Sequence, residues 1–352
     1  MPLPPYPPPG YDWMPFAQRL LRALPFHPAV SGLTALALSY VAFSALLLAV
    51  QPGSPGAAWD GFVAGLAGGF WIDYLVMLLV AYVFVAADML RRHMERSLDR
   101  LRPQLALDAA AFAAARKHVF AYSRWTRNVV GAIAVVAVIS AGGGLNSVAP
   151  FYADTPGEHV LTGLIWVRVA ILLWGSATLM HDELLAMWRL SHLVRRHLRV
   201  DLFNDTLLAP LGHVGLVATL FMAVGVSLAT PLLSDRVWTF ATGVYLALLT
   251  VGAVALLVMP ALGARDAISD AKDSELDRLD GMIATHPGRQ GADVDSAAAL
   301  GSLVVLRTAV EDAREWPFGR PTLVRWLLLV SIPVGSWFAG ALVERLVDSA
   351  LG

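Results

Sequence analysis

Apolar positions in this chain collect into seven long runs separated by polar gaps. The runs are Ala29 to Val50, Gly69 to Ala87, Val129 to Ala149, Leu161 to Met180, Leu211 to Leu233, Val237 to Pro260 and Leu323 to Val347. Each is close to the roughly 20 residues that a helix needs to cross about 30 Å of hydrocarbon. The pattern predicts an all-α polytopic membrane protein with seven transmembrane helices.

Three runs continue beyond their apolar stretch without a breaker. The second goes on through Leu90, Arg91, Arg92, Glu95, Arg96 and Arg100 until Pro103. The fourth extends through His181, Asp182, Glu183 and Trp188 to about Arg199, and the sixth through Ala267, Ile268, Leu276, Leu279 and Ile283 to the Pro287-Gly288 pair. Proline and glycine punctuate helices, so these are the expected ends of long helix extensions. Two further helices are expected outside the membrane, from Ala106 to about Arg124 and from Ala297 to about Glu315, the second with Leu300, Leu303, Val304 and Val310 on its apolar side. Pro2 to Pro9 reads as an extended polyproline tail. Trp13 to Phe26 sets Phe16, Leu20, Leu21 and Leu24 against Gln18, Arg19 and Arg22, as an interfacial helix does. The chain thus divides into a tail and interfacial helix (1–28), a six-helix bundle (29–263) with extensions at 88–128 and 181–210, a helical segment with a linker (264–322) and a seventh membrane helix (323–352).

Charge adds orientation. Of the 26 Lys and Arg residues, 22 fall before the first run and in the gaps after the second, fourth and sixth. Another gap holds Arg236, Arg168 lies within the fourth run, and Arg325 and Arg345 lie near the two ends of the last run. Positive charge is retained on the cytoplasmic side during insertion, so the N-terminus is expected inside, the C-terminus outside and the helix extensions in the cytosol of a plasma-membrane protein. Hydrophobic residues make up 57% of the chain and charged ones 15%, too little polar surface to cover a soluble globule of this size. A net charge of −1 gives no basic excess for nucleic acid, and the absence of cysteine excludes disulfides, thiolate metal sites and a cysteine nucleophile. No Lys or Arg precedes Arg19 and the first apolar run exceeds a signal h-region, so a cleavable signal peptide is not expected.

Two groups of residues are candidates for function. Asp73 sits about one turn into the second span and Arg168 about two turns into the fourth, which places both in the outer leaflet. Charges at that depth are costly and face a partner or a water-filled cavity, so the two are expected to pair or to line one outward-facing cavity. In the last run, Ser331, Gly335 and Ala339 are four apart, as are Ser336 and Gly340, and Pro333 lies among them. Small residues at that spacing let helices approach closely, and proline removes a backbone hydrogen bond, so the stripe marks either a pore-lining helix or a tight packing contact. His181, Asp182 and Glu183 are consecutive, point in three directions and read as a solvated start to a cytosolic extension. The basic run His192, Arg195, Arg196, His197 and Arg199 suits anionic headgroups. No phosphate loop, nucleophile elbow, HExxH or dinucleotide turn is present, so no enzyme, cofactor or metal site is expected.

Seven helices with the N-terminus inside is opposite to the G-protein-coupled receptors and rhodopsins, and no lysine in the last run is available for a retinal Schiff base. The layout resembles the insect odorant and gustatory receptors and their relatives, the seven-helix ligand-gated ion channels. Ala297 to Glu315, broken at Trp316-Pro317-Phe318 and followed by Leu323 to Val347, looks like the split last helix of that family. The resemblance implies a homo-oligomer, a tetramer by analogy, in which the last membrane helix lines the pore and a small-molecule ligand or ion acts on the outer part of the bundle. The tail from Glu315-Trp316-Pro317-Phe318 also looks like that of uncharacterised prokaryotic multi-pass proteins. Besides a channel-like protein, a secondary transporter and a membrane scaffold or sensor that binds a cytosolic partner through its helices fit the same pattern.

Overall fold

A computed structural model of the chain describes residues 11–12, 28–50, 55–65, 71–141, 156–202, 209–229, 240–286, 294–314, 316, 324, 328 and 331. The long helices are α1 (Pro28–Val50), α3 (Trp71–Leu101), α5 (Arg124–Ala141), α6 (Pro156–His197), α7 (Ala209–Ala229) and α8 (Phe240–Thr285). Shorter helices are α2 (Pro55–Gly65), α4 (Ala109–Phe120) and α9 (Val294–Glu311). Five helices hold stretches long and apolar enough to cross a membrane: Ala29–Ala49, Ile72–Gln104, Gly163–His197, Leu211–Ala229 and Ala247–Thr285.

The extensions form as their periodicity predicts. Helix α3 stays apolar through Ala87 and then becomes amphipathic, laced by Asp88–Arg92 (2.7 Å) and Arg91–Glu95 (3.2 Å) pairs four residues apart. It passes into a single 3-10 turn, Arg102–Gln104, that contains Pro103. There the chain is tied to the end of α6: the Ala106 amide donates to the His197 carbonyl (2.7 Å) and the Arg199 amide to the Gln104 carbonyl (2.8 Å). Asp108 then caps α4 by accepting from the Ala111 amide at 2.7 Å, satisfying one of the orphan donors of a helix start. Helix α4 buries Phe112, Ala115, Val119 and Phe120.

The expected continuous helix from Ala106 to Arg124 is therefore interrupted. Tyr122–Ser123 pairs antiparallel with Tyr11–Asp12, a contact between distant segments that no local pattern announces. Helix α2 was also not anticipated; it starts at Pro55, a residue suited to a helix's first position. The third expected span is described only as Arg124–Ala141, and its outer end with Gly142 to Gly144 lies outside the described residues. So do the polyproline tail, the Trp13–Phe26 segment and most of the last run.

Helices α6 and α8 make the most extensive contact, followed by α7 on α8. Small residues allow the second: a Cβ added to Gly215 would come within 3.2 Å of the Leu257 Cα and carbonyl oxygen. Beside it the Thr219 hydroxyl bonds the Gly215 carbonyl (2.9 Å) and reaches the Ala253 carbonyl on α8 (3.3 Å). Small residues and hydroxyls are the usual means of holding membrane helices together, where lipid is as apolar as leucine.

Apolar side chains are distributed in two ways. The fully buried large ones, Leu47, Leu90, Met94, Leu98, Leu101, Met187, Leu190, Val194, Leu211, Val214, Leu256 and Leu279, lie mostly on the extensions and the helix ends beside them, Leu47 and Leu256 excepted. In the apolar runs themselves, Leu33 and Leu38 on α1 are each 66% exposed, and Leu248 and Val251 on α8 are 65% and 66% exposed. Ile133 and Val136 on α5 face outward in the same way. A water-soluble bundle would bury such residues; a lipid-facing one leaves them outside.

Candidate functional site

The two charges picked out for their depth meet. Asp73 lies in the first turn of α3, where the helix N-terminus favours an acid. Arg168 lies in the first third of α6, and its Nη1 stands 3.4 Å from Asp73 Oδ1. Asp73 is 4% exposed. Helix α1 completes the site: the Arg168 guanidinium carbon lies 4.0 Å from the centre of the Phe43 ring, a favourable stack for a cation on a π-face. Phe43 in turn meets the Tyr74 ring edge-on at 5.6 Å. The Tyr40 hydroxyl donates to the Tyr74 carbonyl (2.7 Å) and Ser44 shares a hydrogen bond with the Tyr74 hydroxyl (2.6 Å), so α1 is held to α3 at this level.

Arg168 also lines a cavity of about 430 Å3 between α1, α3 and α6. Its walls are mainly apolar, including Leu36, Phe43, Met77 and Phe84, with Ser39 and Arg168 as polar groups. That combination, an apolar groove with few polar anchors, is typical of a small-molecule site in both size and lining. Of the second predicted group only Ser331 is among the described residues. Ser331 is exposed, with its hydroxyl on the Leu328 carbonyl at 2.8 Å. Pro333, Gly335, Ser336, Ala339 and Gly340 lie outside the described residues.

A third constellation escaped the sequence reading. His181, Asp182 and Glu183 are not a solvated helix start but the middle of α6, packed among α3, α4 and α5. Asp182 Oδ2 faces Arg127 Nε at 3.1 Å, and its Oδ1 lies 3.1 Å from His181 Nδ1. Glu183 is 5% exposed, and its Oε2 has no hydrogen-bond partner. Asp182 and Glu183, together with Arg91, Arg127 and Thr178, line a second cavity, of about 40 Å3. Arg91 donates to Glu95 (3.2 Å) and reaches the Phe120 carbonyl (3.5 Å). Glu95 is shared with Arg116 at 3.6 Å, and Arg116 continues to Asp99 at 3.5 Å. The signal was present in the spacing. Leu179, Glu183, Met187, Leu190 and Val194 follow one another at three or four residues, so Glu183 occupies the buried stripe of its helix. Ala87, Arg91, Met94 and Leu98 do the same on α3.

On α4, the His118 ring is held below its ordinary basicity, first by burial and then by the nearby Arg189 charge. Arg189 itself donates to the His118 carbonyl at 2.8 Å and to the Ala121 carbonyl, which fastens the end of α4 to α6. Among the described residues no three His, Asp or Glu side chains converge as a metal site would require.

Fold and site together define a class: a helical, multi-pass bundle whose apolar helices suit a membrane, with charged residues gathered between α1, α3, α5 and α6. Comparison with family models, with curated proteins and with solved structures finds no match.

Proposed function

We propose that the chain is a seven-helix plasma-membrane protein, N-terminus inside and C-terminus outside, that assembles with copies of itself as a channel-like protein. In this reading a small ligand or ion acts at the Asp73–Arg168 site and the last helix, Leu323 to Val347, lines the pore. The observation that carries it is the Arg168–Asp73 ion pair, stacked on Phe43 and set beside a cavity of about 430 Å3. Ionisable groups at membrane depth are rare, costly to bury and commonly found along ligand and ion pathways. An occupant of that cavity would touch three helices at once, α1, α3 and α6, and so would be able to bias how they pack. The distribution of Lys and Arg supports the orientation. Helix α9, packed on α8 ahead of the break at Trp316-Pro317-Phe318, supports a last helix split at the inner surface.

Planar-bilayer recording from the purified full chain tests this reading. The wild type is expected to pass unitary currents, and Asp73→Asn and Arg168→Gln to change the open probability at least several-fold. Absence of current together with saturable, ion-coupled flux in proteoliposomes would assign a transporter instead.

A further inference from the structure

The smaller cavity, between α3, α4, α5 and α6, holds charges that the outer site does not use. Four charged side chains line it beside Tyr122, namely Arg91, Arg127, Asp182 and Glu183, and their pairing is uneven. Arg91 is engaged by Glu95 and the Phe120 carbonyl, with its guanidinium 5.1 Å from the Phe120 ring centre. Arg127 lies against Asp182 and stacks over Tyr122 and Trp174. Glu183 has the Arg91 charge nearby and the Asp182 charge against it. Its Oε2 is buried without any donor, although the wall around it includes two arginines. When the group is ionised, that oxygen lacks a hydrogen bond to offset its removal from water. The neutral acid loses the charge and gains an O–H to donate. A cavity of about 40 Å3 exceeds the roughly 10–15 Å3 that one water occupies, and its polar walls give water the partners it needs.

We propose that this cavity is a proton-binding site, in which Glu183 takes a proton from water held in the cavity and keeps it as a carboxylic acid at neutral pH. The step is a simple uptake: hydronium gives its proton to the carboxylate, leaving water and the neutral acid. The surrounding charges are accounted for element by element. Arg91 and Glu95 come from α3, Arg116 from α4 beyond Glu95, Tyr122 from the segment after α4, Arg127 from α5, and His181 and Asp182 from α6 itself. Among the described residues the lining takes no side chain from α7 or α8. A metal cation would meet two arginines at the same wall, whereas a proton adds no repulsion once it is bound to Glu183. Loss of that proton leaves a negative charge between helices whose other acids are already paired, so occupancy of the site is linked to how α3, α5 and α6 pack.

Infrared spectroscopy of the full chain in lipid nanodiscs tests the proposal. The wild type at neutral pH is expected to show the C=O stretch of a protonated carboxyl group, shifted to lower frequency in heavy water, and Glu183→Gln to lose that band. Should the Gln variant not fold, Glu183→Asp must move the band instead. A wild-type spectrum without such a band between about pH 6 and 8, or a band that either folded variant leaves in place, would overturn the assignment.

Discussion

Asp73 and Arg168 depend on each other in a way that single substitutions expose. Both are largely buried, so removing one partner leaves a charge without compensation, whereas removing both does not. Asp73→Asn and Arg168→Leu are each expected to cost about 3–5 kcal/mol of unfolding stability. The double variant is expected to cost less than the sum, which denaturant unfolding in detergent micelles measures. Equal and additive losses would mean that the pair does not interact. A second residue effect depends on pH. His118 is harder to protonate in the folded chain than in the unfolded one, because of burial and then Arg189. The unfolded state therefore binds the extra proton, and stability that is complete above about pH 6.5 falls as pH drops below it. His118→Gln should flatten this part of a melting-temperature profile between pH 7 and 5.5, with the wild type declining. Of these residues, Asp73 and Arg168 were legible as partners, because depth along a helix follows from counting residues. Glu183 was not. Three consecutive polar residues resemble a solvated turn, and that resemblance hid the three- and four-residue spacing that puts Glu183 on a buried stripe.

Elements were legible where a local rule ends them. Pro103 falls in the turn that closes α3, and α8 stops at Thr285, just before Pro287-Gly288. Starts and interruptions set by distant partners were not, as the Tyr122–Ser123 pairing with Tyr11–Asp12 and the displaced start of α4 show. Contact between elements yields a sharper test at two glycines of α8. A Cβ at Gly263 would run into the backbone carbonyl of Ser191 on α6, which cannot turn aside. A Cβ at Gly252 would meet only the end of the Met180 side chain, which can. Gly263→Ala is therefore expected to destabilise by about 1–3 kcal/mol or more, and Gly252→Ala by clearly less. Thermal unfolding of the two variants side by side checks the order, and a reversed order would contradict the α6–α8 packing described above.

For the whole molecule, the membrane reading rests on five long apolar helices and on their exposed aliphatic faces, while seven spans and the orientation are our proposal from the apolar runs and the charge distribution. The chain has no cysteine, so single introduced cysteines report without background. A cysteine at Ser234 is expected to react with a membrane-impermeant maleimide from outside intact cells, and one at Ser274 only after lysis. The most direct test of the central claim, that copies of the chain assemble around the last helix, is oxidative cross-linking of Ser336→Cys in native membranes, with Trp125→Cys on the exposed face of α5 as the comparison. A covalent dimer from Ser336→Cys and not from Trp125→Cys is the result predicted; Ser336→Cys that stays monomeric under conditions where it is fully oxidisable by a small thiol would contradict it.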